Sequence, residues 1–86
     1  MIQPKNNQEF YKEIDATCLR LREVGMGTEA NRISHLLHKV AWTSTSELFE
    51  NLEAAFEDAL AGPNAAKLTP QLKEELDGYI RVLANV

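Results

Sequence analysis

Apolar side chains recur along this chain at spacings of three and four and nowhere alternate with a period of two, the pattern of helices that each bury one face. The first stripe is Phe10, Ile14, Thr17 or Cys18, Leu21 and Val24. Asn6 and Glu9 stand before it with the spacing of a helix cap, and Gly25 after it permits the left-handed turn on which many helices end. Met26 then falls where such a turn folds an apolar side chain back toward Leu21. Together these signals predict a helix over 7–24 behind a polar tail, 1–6.

Thr28 is the next residue able to cap, and Ala30, Ile33, Leu37, Val40 and Ala41 share one face behind it, which predicts a second helix over 28–42. The run Thr43, Ser44, Thr45, Ser46 competes with helix through side-chain to backbone bonds, and Ser44 with Glu47 forms a capping box for a third helix over 45–61. Its inner face reads Leu48, Leu52, Ala55, Phe56, Ala59 and Leu60, and Gly62 with Pro63 closes it. Thr69 caps a fourth helix over 69–84 with Pro70 at its first position, where a missing N–H costs nothing. Leu72, Leu76, Tyr79, Leu83 and Val86 repeat there at the seam spacing of bundled helices, and Gly78 offers a close approach to a neighbour. The expected fold is all-α: a small antiparallel four-helix bundle with short loops. Its 86 residues make one domain around one core.

On a helical wheel Leu19, Leu36 and Phe49 fall outside the inward stripes, which nominates them as contacts for another molecule. Trp42 sits at the junction of the second and third helices, where an amphipathic ring suits either the end of the core or an interface.

Charge narrows the class of partner. Nine Lys and Arg stand against thirteen Asp and Glu, a formal net charge of -4 at pH 7, which opposes the phosphate contacts that nucleic-acid binding needs. From Val40 to Ala66 every charged residue is acidic: Glu47, Glu50, Glu53, Glu57 and Asp58. The third helix should therefore carry an anionic face. No stretch approaches the roughly 18 apolar residues of a membrane span, so neither membrane nor nucleic acid is expected as a partner. Cys18 is the lone cysteine, which excludes an intrachain disulfide and fits a reducing compartment, the cytoplasm.

Candidate chemistry is sparse. His35 and His38, three apart on a helix, can point the same way, but a structural metal site needs four ligands and no second cluster exists in the sequence. No metal and no other cofactor is expected. Cys18 lies on an inward face, whereas a reactive thiol needs exposure and an electropositive setting. Gly25 and Gly27 follow a helix, not a strand, and so make no phosphate loop.

His35 faces solvent in the second helix of an acidic bundle, and Leu48, Leu52 and Phe56 follow at positions where histidine phosphotransfer domains have apolar residues in their third helix. In that respect the chain resembles the family, which implies phosphotransfer through His35. The family, however, has Lys and Gly three and four residues after its histidine, and here those positions are His38 and Lys39. Glu47, Leu48, Leu52 and Glu53 look like the second helix of an acyl carrier protein. That family attaches its cargo to a serine preceded by Asp; the register places Trp42 there, and the chain contains no Asp-Ser pair.

These observations lead to a non-enzymatic protein-protein interaction module of the adaptor, regulator or toxin-neutralising type. Glu47, Glu50, Glu53, Glu57 and Asp58 would steer a basic protein partner, with Leu36, Trp42 and Phe49 as anchors. The alternatives are phosphotransfer through His35 and a self-associating structural domain, a homodimer, for which the small unstapled core is an argument.

Overall fold

A computed structural model describes residues 7–84. Four α-helices follow one another, α1 (Asn7–Glu23), α2 (Gly27–His38), α3 (Thr45–Ala61) and α4 (Pro70–Ala84), with a 3-10 turn at Ala65–Lys67 before the last. Short connections make successive helices antiparallel. α1 packs on α2, α2 on α3 and α3 on α4, and α4 returns to α1 by the narrowest of the four contacts; among the described residues the backbones of the diagonal pairs do not come together, although side chains meet between α1 and α3. The all-α four-helix bundle read from the residue spacing is the fold observed.

The ends of the helices follow local chemistry. Gly25 takes a φ of 88°, and the Met26 N–H donates to the Leu21 carbonyl at 2.8 Å while the Gly25 N–H donates to Arg22 at 3.1 Å. These two bonds satisfy carbonyls that the end of α1 would leave open, and they carry Met26 fully into the core. Lys67 secures the same corner from the 3-10 turn, its ammonium donating to the Gly25 carbonyl at 3.2 Å. At the start of α3 the Ser44 hydroxyl accepts from the Glu47 N–H at 3.2 Å, and at the start of α4 the Thr69 hydroxyl accepts from Leu72 at 3.2 Å. α3 stops at Gly62 because the residue before Pro63 must be extended, and glycine suits the position because a Cβ there would come 2.7 Å from the Asp58 carbonyl. The Asn6–Glu9 cap lies outside the described residues, as do the 1–6 tail and Val86.

Four expectations need correction. Thr28 does not cap α2: Met26 holds the N-cap position without a side-chain bond, because the glycine turn leads straight into a helix that starts at Gly27. α2 ends at His38 instead of about Trp42, so Val40 and Ala41 leave the helix. The Leu36 carbonyl, which a continuing helix would offer to the Val40 N–H, accepts instead from the Trp42 indole N–H at 2.7 Å. Gly78 makes no close approach, since a methyl group there would meet nothing within 4 Å. Phe49 is not outside the core but buried at 8% exposure, its ring edge-on to Phe10 with centroids 6.2 Å apart. Flanked by α2 and α4, α3 buries a face wider than one stripe.

The core unites Ile14, Leu21, Met26, Ile33, Leu52, Phe56 and Leu76, all fully buried, with smaller neighbours. Leu68, in the connection after the 3-10 turn, joins it as well. Between α1 and α4 the packing is partly polar. Thr17 is fully buried, and its hydroxyl lies 2.8 Å from the Tyr79 hydroxyl and 3.1 Å from the Glu13 carbonyl, which also accepts from Tyr79 at 3.1 Å. Arg20 donates to the Thr17 hydroxyl at 3.2 Å and to the Glu75 carboxylate. The Tyr79 ring packs on Phe10 and Phe56 with centroids 5.8 and 5.4 Å away. Large side chains thus span the seam between α1 and α4.

Two predictions follow from the backbone and the buried thiol. Gly78→Ala should stabilise the fold by about 0.5–1 kcal/mol, since a helical glycine in open space contributes only flexibility, while Gly25→Ala should cost about 1–2 kcal/mol for its left-handed backbone. Urea unfolding of both variants measures the contrast; equal effects would contradict it. Burial first, and then the charge of Asp15, raise the Cys18 thiol from 9.0 to about 11 against the lowering pull of Arg22, and burial is also the main cause raising Tyr79. Both groups are held neutral in the fold, so their contribution to stability is complete below the unfolded-state value and fades as pH rises through the folded one. Urea midpoints should therefore fall between pH 9.0 and about 11, and fall less in Cys18→Ala. A wild-type midpoint that is flat across that window would contradict this.

Candidate functional site

Because α3 packs between α2 and α4, three sides of it are committed and one is left to solvent. Along that side the chain places Glu47, Glu50 and Glu57, all exposed. Glu53 is half-buried on the flank toward α4, beside Phe49 and Leu83. Asp58 lies on the flank toward α2, where its carboxylate accepts from Arg32 at 2.6 Å. The five acids thus form two groups. Asp58 is part of an interhelical ion pair, half-exposed and worth little in water. Glu47, Glu50, Glu53 and Glu57 meet no cation among the described residues, whereas Arg20, Arg81 and His38 each have a carboxylate partner.

A groove of about 170 Å³ lies between the start of α3 and the end of α4, lined by Thr45, Ser46, Phe49, Glu50, Glu53 and Leu83. Phe49 therefore offers a groove wall and not a projecting anchor. A larger cleft of about 370 Å³ opens between α2 and the end of α3, lined by the paired Arg32 and Asp58 and by Ala55, Ala59 and Ala61.

The nominated apolar anchors are not equivalent. Leu36 and Trp42 are both half-buried against the core. The polar end of Trp42 is occupied by the Leu36 carbonyl, so the indole closes the end of α2 while part of its ring stays at the surface. Leu19 is exposed at 60% on α1, away from α3. Where α2 finishes, α3 begins and α4 ends, Leu36, Leu37, Trp42, Ile80 and Val82 are all only partly buried, and Tyr11 of α1 joins them.

The residues considered for chemistry are dispersed. Cys18 is buried and its thiol is pushed up to about 11, so little thiolate forms near neutrality. His35 is exposed. His38 lies 2.9 and 3.0 Å from the two Asp15 carboxylate oxygens, a contact that ties α2 to α1. Among the described residues no group of three His, Cys, Asp or Glu side chains comes together as a metal site would require, and no helix is long and apolar enough to cross a membrane.

Comparison of the chain with protein-family models, with curated proteins and with solved structures finds no match.

Trp42→Phe keeps an aromatic side chain, smaller than the indole, and removes the N–H, leaving the part-buried Leu36 carbonyl without its donor. The expected cost is about 1 kcal/mol in unfolding free energy, with faster amide exchange in the last turn of α2. Unchanged stability and exchange would mean that the indole is merely resting there.

Proposed function

We propose that this chain is a non-enzymatic protein-protein interaction module, an adaptor, regulator or toxin-neutralising protein, that docks the outer face of α3 on a basic region of another protein. The supporting observation is the set of carboxylates at Glu47, Glu50, Glu53 and Glu57, displayed along one helix with no cation against them among the described residues. Like charges so placed repel one another modestly, and a partner bearing Lys or Arg relieves that repulsion. Exposed charges of this kind act mainly on the approach of the partner, through long-range attraction that salt screens. Leu36 and Trp42, half-buried near the start of α3, would add apolar contact at one end of the face. The lone buried thiol of Cys18 suits a reducing compartment, and the cytoplasm is part of the same proposal.

A second copy of the chain is the other reading, and it draws on the partly buried apolar side chains Tyr11, Leu36, Leu37, Trp42, Ile80 and Val82. Phosphotransfer through His35 has only the exposure of that histidine in its favour. Three residues on, where the phosphotransfer family has Lys, His38 is engaged with Asp15.

The test begins with a basic protein captured from the native host by the tagged chain. Association rates for the purified pair should fall steeply with added salt, and Glu47→Gln/Glu50→Gln/Glu57→Gln should slow association by about tenfold or more at low salt and flatten that dependence. Unchanged rates in a variant that melts like wild type would end the steering proposal. Dilution tests self-association separately: melting that shifts upward with protein concentration supports a stability-linked dimer, and concentration-independent melting excludes one.

A further inference from the structure

No further inference is drawn: the strongest candidate, the cleft between α2 and the end of α3, has its charged lining already paired, Arg32 with Asp58 and Glu29 with Asn64, its unpartnered Glu29 Oε1 is sealed from solvent instead of open to the cleft, and nothing in the structure shows what would occupy it.

Discussion

α4 is the last helix in the chain, and its return to α1 turns three successive antiparallel contacts into a closed bundle; the return is made through the Thr17 hydroxyl and the Tyr79 side chain. Neither could do this alone. The tyrosine ring packs on Phe10 of α1 and Phe56 of α3, and its hydroxyl would be a costly intruder without Thr17 and the Glu13 carbonyl to receive it. Thr17, fully buried, would likewise be a poor choice for a core position without that partner. Arg20 and Glu75 cover the network from the outside, one donor and one acceptor to the same hydroxyl. A short chain with no disulfide thus closes its core with hydrogen bonds as well as apolar contact.

Closure decides what the surface can be. α3 has α2 on one side and α4 on the other, so its acidic residues point outward or lie at its two flanks. On the α2 flank, Asp58 meets Arg32; on the α4 flank, Glu53 lies beside Phe49 and Leu83 without a cation among the described residues. The other candidates are engaged elsewhere: Cys18 is buried and held as a neutral thiol, and the exposed His38 is occupied by Asp15. A helix face whose charged residues are all acidic is the feature that sets α3 apart from the other three helices, and it underlies the interaction proposal.

Much of the fold was legible because the signals were local. The glycine after α1, the serine before α3 and the Thr-Pro start of α4 each act through bonds to backbone groups within a few residues, and each behaves as its position predicts. What was not legible depended on distant segments. The extent of α2 turns on an indole folding back from a loop, and Thr28 lost its capping place to a tight turn that periodicity does not register. Phe49 entered the core because a helix between two neighbours buries more than one stripe, and Gly78 lost its expected role because no neighbour came near it. Thr17 was visible only as an alternative to Cys18 in a stripe; its bond to a tyrosine 62 residues away has no local signature. For the candidate site, the acidic run on α3 was plain from the residues, but the pairing of Asp58 and the occupied indole of Trp42 came only with the packing.

The most direct test of closure through this seam is a double-mutant cycle with Thr17→Val and Tyr79→Phe, read by urea unfolding. Each substitution keeps the shape and removes one hydroxyl, so the coupling isolates the bond between them. Closure through this bond predicts a coupling of about 1 kcal/mol or more, with both single variants destabilised. Additive effects, with no coupling between the two positions, would contradict it and leave the return of α4 to α1 to the Arg20–Glu75 pair and the packing of Tyr79 on Phe10.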